Sequence, residues 1–192
     1  MLGNLSDEQL VEISVTENPE AFGEIVKRWE RKIFALCFGM LSREEDARDA
    51  VQETFIAAFR NLANFRGDAK VSSWLHRIAV NQCLTKHRRK KTRAESYLED
   101  ESETNQQAFT APLTESPSHN FEQNNKLLLV RKAVSSLPED LKQVVVMKEF
   151  EELTFQQISE VLELPLSTVK SRLYTALKQL RMKLDNAVVE II

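Results

Sequence analysis

Apolar residues recur along most of this chain at three- and four-residue steps, the period of one helix face. The longest run is Phe22, Ile25, Val26, Trp29, Ile33, Leu36, Cys37 and Met40, a continuous stripe on one long helix. Ahead of it, Ser6-Asp7-Glu8-Gln9 precedes Leu10 and Ile13. That is the arrangement in which a Ser hydroxyl and a Gln side chain each cap a free N–H at a helix start. A third helix is expected from about 43 to 64, with Ala47, Ala50, Val51, Phe55, Ala58, Phe59 and Leu62 inward. Arg66-Gly67-Asp68 reads as a turn. Beyond it, Trp74, Leu75, Ile78, Ala79 and Cys83 mark a fourth helix beginning near Ser72 or Ser73. Four helices with short connections predict a bundle.

The period then stops. Residues 95–125, "ESYLEDESETNQQAFTAPLTESPSHNFEQNN", are polar and acidic, hold two prolines and show no repeat. They read as a flexible linker. Periodicity returns near Lys126, and Pro138 suits the first turn of a helix carrying Leu141, Val144 and Val145. Thr154-Phe155-Gln156-Gln157 is a second capping box, opening a short helix with Ile158, Val161 and Leu162 inside. After a break at Glu163-Leu164-Pro165, "LSTVKSRLYTALKQLRMKL" makes a long amphipathic helix with Val169, Leu173, Leu177 and Leu180 inward. A short helix, a tight turn and a second helix bearing Lys170, Arg172, Lys178 and Arg181 form a helix-turn-helix pattern. The turn commonly begins with Gly, yet Glu163 stands there, so either the turn avoids positive φ or Glu163 tolerates it. The chain is therefore all-α: two small helical domains, 1–93 and 126–192, joined by an acidic linker over 94–125.

Only 4 Gly and 5 Pro in 192 residues agree with helix throughout. No apolar run approaches the roughly 18 residues of a membrane span, and the acidic first twenty residues lack a signal-peptide pattern. A cytoplasmic protein without direct membrane insertion is expected. Cys37 and Cys83 cannot build a disulfide framework. Cys83 and His87 lie four residues apart, but no third or fourth ligand is near, so no metal site is expected. There is no phosphate-cradling Gly loop, no carboxylate pair in an apolar setting and no Ser/His/Asp spacing of a known motif. Neither catalytic residues nor a cofactor are expected.

Charge changes the picture more. The formal net charge of −3 hides a block at 66–93 with nine basic residues and one acid, followed by seven acids and no Lys or Arg over 94–125. The basic block suits phosphate and the acidic one a basic partner. Lys86-His87-Arg88-Arg89-Lys90-Lys91 exceeds what a helix C-terminus needs. Within "FRGDAKVSSWLHR", Trp74 falls on the apolar stripe and is expected in the core. Phe65 lies off every stripe and is a candidate for stacking on an unpaired base.

These residues carry a family resemblance. "DAVQETFIAAFRNLANFRG", "SSWLHRIAVNQCL" and, after the linker, "LPEDLKQVVVMKEFEELTFQQISEVLELPLSTVKSRL" resemble regions 2 and 4 of the extracytoplasmic-function bacterial sigma factors. "FRGDA", "WLHRIAVN" and "SLPEDL" resemble the envelope-stress (sigma-E-like) branch. The resemblance implies a four-helix region 2 that docks on core RNA polymerase at the β′ clamp through Asp49, Gln52, Glu53 and Ile56. It implies that Phe65, Arg66 and Asn81 meet the minus-ten promoter element, where a base is held unpaired, with Lys86, Arg88 and Arg89 on nearby phosphates. It also implies that Ser167, Thr168, Lys170, Ser171 and Tyr174 meet the minus-thirty-five element in the major groove, and that region 4 contacts the β flap. Envelope-stress relatives carry a base-reading Arg one step after the aromatic, where this chain has Thr175, and Lys170 in place of Arg lacks a bidentate fork. The linker resembles a segment that threads toward the RNA exit path; composition reads it equally as a solubilising tether. An anti-sigma protein is implied as a further partner.

Two function classes follow: a promoter-specificity subunit that works on polymerase, and a stand-alone helix-turn-helix regulator. The first domain discriminates, because a simple regulator needs no polymerase-docking helix followed by a melting loop. A purely helical interaction protein leaves the basic blocks unexplained.

Overall fold

The structure, a computed structural model, describes residues 2–65, 67, 69–98 and 120–189, and all regular structure among them is helical. Four helices form an N-terminal unit: α1 (Asp7–Thr16), α2 (Phe22–Leu41), α3 (Glu44–Arg60) and α4 (Val71–Leu98). Four more form a C-terminal unit: α5 (Asn120–Ser135), α6 (Glu139–Val145), α7 (Phe155–Leu162) and α8 (Leu166–Val189). Between α6 and α7 the chain widens into a π-helical turn, Val146–Phe150.

The axis of the N-terminal unit is α2, whose Ile25, Ile33, Leu36, Cys37 and Met40 are all buried. Small residues let its neighbours close on it: Ala47, Ala50 and Ala58 from α3, and Ala79 and Cys83 from α4. The expected third helix divides at Asn61, which ends α3 and returns its side-chain amide to the Ala57 carbonyl at 2.8 Å. Hydrogen bonding to Cys37 and burial hold the Cys83 thiol far above the usual thiol range, so Cys83 stays neutral and inert as a nucleophile.

The first capping box forms as expected, with Gln9 N–H donating to Ser6 Oγ at 3.2 Å and Ser6 N–H to Gln9 Oε1 at 2.9 Å. Just inside it, Asp7 ties α1 to α2. It accepts from Arg28 Nη1 at 2.9 Å and Trp29 Nε1 at 2.8 Å, while Arg28 also reaches the Leu5 and Gly3 carbonyls.

In the C-terminal unit Val144, Val145, Met147, Ile158, Val169 and Ala176 are buried. The α8 stripe runs Val169, Leu173, Ala176 and Leu180. Leu177, expected inward, is 41% exposed, because the third inward position falls on Ala176 as the 3.6-residue turn precesses. Phe59 is likewise corrected. It is 48% exposed and leans on the Phe22 ring, with centroids 5.5 Å apart, at the edge of the core. Helical structure extends into both ends of the expected linker. Helix α4 continues to Leu98, since residues 94–98 hold neither Gly nor Pro, and α5 begins at Asn120, six residues before Lys126. The rest of the acidic stretch, 99–119, lies outside the described residues.

The two units touch. Val146 of the π-helical turn packs against Gly39 of α2, so closely that a Cβ on Gly39 would lie 2.7 Å from Val146 Cγ1.

Asp7→Ala strips partners from a half-buried guanidinium and an indole N–H at once. It is expected to lower stability to urea by about 1–3 kcal/mol, with Asp7→Asn recovering part of the loss; an unchanged midpoint would show that α1 is held by its apolar residues alone.

Candidate nucleic-acid interface

Asn81, Arg88 and Arg89 are exposed on α4, and Asn81 and Arg88 share a face two turns apart. The basic block does not point one way. Lys86 turns toward α3 and pairs with Asp49 at 3.0 Å, and Lys90 pairs with Asp46 on the same side. Two of the cations are thus compensated within the unit, whereas Arg88 and Arg89 have no ion pair among the described residues. Arg66 lies outside the described residues; beside it, Gly67 adopts the left-handed backbone of the expected turn, at φ 75°.

Phe65 and Trp74 do not separate into a surface and a core residue as expected. Both are half-buried, and their rings pack on each other at 5.1 Å with a 49° tilt. Trp74 sits at the margin of its stripe while Leu75 and Ala79 take the inward positions, leaving Phe65 an aromatic floor to rest on.

In the second unit Ser167, Lys170, Ser171 and Tyr174 stand exposed at i, i+3, i+4 and i+7 of α8, one outward face. Thr168 is half-buried at its margin, its carbonyl accepting from Ser171 Oγ at 3.0 Å. Tyr174 is 67% exposed, more than any other large apolar or aromatic side chain among the described residues. Thr175 donates back to the Ser171 carbonyl at 2.9 Å. The second capping box forms, Gln157 N–H to Thr154 Oγ1 at 3.2 Å, and fixes the start of α7. Glu163 settles its question by adopting the left-handed backbone, φ 54°, ψ 40°.

On α3, Asp49, Gln52, Glu53 and Ile56 are all exposed on one face, again at i, i+3, i+4 and i+7. Gln52 and Ile56 also line a groove of about 800 Å³ between α2 and α3, with Arg31, Phe34, Phe55 and Phe59. Arg31, Phe34 and Phe59 were not among the residues expected here. Counting a stripe assigns Phe59 inward, and only the packing of α2 on α3 reveals it as groove wall.

Residues 25–93 match the family Sigma-70 region 2, and residues 127–180 match Sigma-70, region 4. Over nearly its whole length the chain is 32% identical to the ECF RNA polymerase sigma-E factor of Haemophilus influenzae, covering 96% of this chain and 98% of that one. It is 33% identical to the RNA polymerase sigma-H factor of Pseudomonas aeruginosa, covering 92% of each.

The chain is an extracytoplasmic-function sigma factor.

A sigma factor is a promoter-directing subunit of RNA polymerase and not an enzyme, which accords with a chain whose conspicuous groups are exposed cations, hydroxyls and aromatics. The sigma factor SigW of Bacillus subtilis is also 33% identical, over 86% of this chain and 89% of that one. The fold recurs in solved structures. CnrH in complex with the cytosolic domain of CnrY has a TM-score of 0.66 at 22% identity, over 94% of this chain and 97% of that one. RpoE in complex with the anti-sigma factor NepR from Bartonella quintana gives 0.69 at 17% identity, over 86% and 98%.

Because the two rings share one contact, Phe65→Ala should itself cost stability, about 1–2 kcal/mol, and Trp74→Ala more, toward the ~3–5 kcal/mol of a buried aromatic. Thermal unfolding of the two variants checks the order; a larger loss for Phe65→Ala would make it the core residue of the pair.

Proposed function

We propose that this sigma factor divides its work between residues 1–93 and 126–192, one unit for each promoter element, with the linker at 94–125 spanning between them. The observation that carries this reading is the pair of exposed polar faces, on α4 and on α8, each in a separate unit matching a different sigma region in the expected order.

In this reading the α3 face of Asp49, Gln52, Glu53 and Ile56, with the adjoining groove, docks on the β′ clamp of core polymerase. Apolar groove walls flanked by Lys27, Arg31, Arg48 and Arg60, with Asp49 and Glu53 on the adjoining α3 face, suit an amphipathic helical partner carrying charges of both signs. The C-terminal unit contacts the β flap. Ser167, Thr168, Lys170, Ser171 and Tyr174 enter the major groove at the minus-thirty-five element, where hydroxyls can donate to or accept from base edges and Lys170 supplies a point charge rather than a fork. Thr175, its hydroxyl already turned to the helix backbone, leaves the neighbouring base unread.

At the minus-ten element Asn81 offers an amide with no side-chain hydrogen bond among the described residues, and Phe65 offers a ring steadied by Trp74. Together with Arg66 they hold an unpaired base. Capturing a flipped base couples recognition to opening, since unstacking costs only a few kcal/mol. Arg88 and Arg89 neutralise phosphates directly, while Lys86 does so only by leaving Asp49. The structural neighbour solved with an anti-sigma factor supports a restraining partner of that kind, and the protein acts in the cytoplasm, where polymerase and promoter meet.

Lys170→Ala and Ser171→Ala should each weaken promoters that depend on the upstream element by roughly 1–3 kcal/mol. An equal drop on every sequence, in competition transcription with core polymerase, would make them phosphate anchors. Phe65→Ala should fail at strand opening, so a template already unpaired at the minus-ten element should recover most of the lost activity. The residual defect should match a stacking contact of roughly 1–3 kcal/mol; no recovery would place Phe65 outside the pocket.

A further inference from the structure

The two units meet along two helices of the first: α2 packs against the π-helical turn, α5 and α6, and α4 packs against α7. Arg77 Nη1 lies 2.7 Å from Glu163 Oε1, and its Nη2 donates to the Glu160 carbonyl at 2.6 Å. Both acceptors belong to the end of α7 and the turn into α8. One residue earlier, His76 is 2% exposed, with Nε2 3.9 Å from Glu151 Oε2. Further along α4, His87 Nε2 lies 3.6 Å from Glu139 Oε2. Beneath these pairs Val146 seats against Gly39, and the Arg131 guanidinium lies 5.9 Å from the Phe38 ring.

Glu163 is the informative residue. A glycine would hold its left-handed conformation without strain, whereas a side chain there is disfavoured. The strained position carries the carboxylate that reaches across to Arg77. The geometry points to an intramolecular latch: Arg77, gripping the helix-turn-helix turn at Glu163 and Glu160, holds the free chain in a closed form that cannot occupy both promoter elements.

The inhibitory part rests on the proposed DNA-facing surfaces; the latch itself does not. Named by their positions, the two elements stand about 25 base pairs apart, roughly 85 Å along B-DNA at ~3.4 Å per step. In the closed form Arg77, one helical turn before Asn81, touches the turn that leads into Ser167. Closed and promoter-engaged forms exclude each other, so whatever holds the units apart must bind the open form better. The joint is also built to yield. His76 Nε2, Arg77 Nε and Glu139 Oε1 are buried without a hydrogen bond in the closed form, and opening returns them to water.

The test uses the full chain with spin labels on cysteines at Glu17 and Met182, both exposed, the native cysteines being buried. Pulsed dipolar spectroscopy of the otherwise unaltered chain should give one narrow distance population. Arg77→Glu, Glu163→Gly and Gly39→Ala should each shift it to a broad, longer distribution. Gly39→Ala acts as a wedge against the stiff, fully buried Val146, yet favours the α2 helix itself. The charge swap Arg77→Glu with Glu163→Arg should restore the narrow population. Glu163→Gly and Gly39→Ala should also bind core polymerase about fivefold or more tightly, the closed population having been removed. Distances unchanged in both variants would overturn the latch. Distances that lengthen while core affinity stays the same would overturn its inhibitory role. Neither readout uses promoter DNA, so failure of the base-contact assignments would show separately, in transcription.

Discussion

The fold depends on the apolar stripe of α2. Ile25, Ile33, Leu36, Cys37 and Met40 are all shut away from water, and α1, α3 and α4 all pack against this one helix. That demand sets the composition around it. The neighbours approach through alanines, a cysteine and Thr54, whose hydroxyl is satisfied by its own helix at the Ala50 carbonyl, 2.6 Å away. It also explains the one glycine of α2 that carries a close contact: Gly39 leaves a socket that Val146 fills. Remove α2's stripe and no surface remains to hold either the groove between α2 and α3 or the C-terminal unit.

On this scaffold electrostatics sort the exposed charge. The acids of α3 compensate Lys86 and Lys90, while Arg88 and Arg89 remain open to solvent. The exposed basic face is therefore narrower than a count of basic residues suggests, and the surfaces proposed for polymerase and for DNA share the Asp49–Lys86 pair. The joint between the units follows the opposite rule. Each buried polar atom left without a partner costs about 1–3 kcal/mol, so a joint holding three of them is weaker than its salt bridges suggest. In the proposed latch, binding energy from polymerase separates it.

Much of this was readable from the chain because the controlling terms are local. Both capping boxes, the helix order and the helix-turn-helix follow from residue spacing over a few turns, and they appear where spacing puts them. Local spacing stops being a guide where one helix meets another. Phe59 belongs to the right period but stands at the end of α3, where only the Phe22 ring at the start of α2 covers one side of it, and becomes a groove wall. Leu177 yields to Ala176 because a stripe drifts around a long helix. Phe65 and Trp74 are separated by nine residues and a turn, so no periodicity could show that their rings touch. The Arg77–Glu163 bridge spans a separation no local rule reaches, although an acid where a turn favours Gly was its visible trace.

The central claim is that recognition belongs to the assembled transcription complex and not to this chain alone. The most direct measurement is binding to a duplex promoter, with and without core polymerase, across a salt series. The account predicts weak binding by the free chain that fades steeply with salt, and tight sequence-specific binding once core polymerase is added. Tight, sequence-specific binding by the chain alone would contradict it.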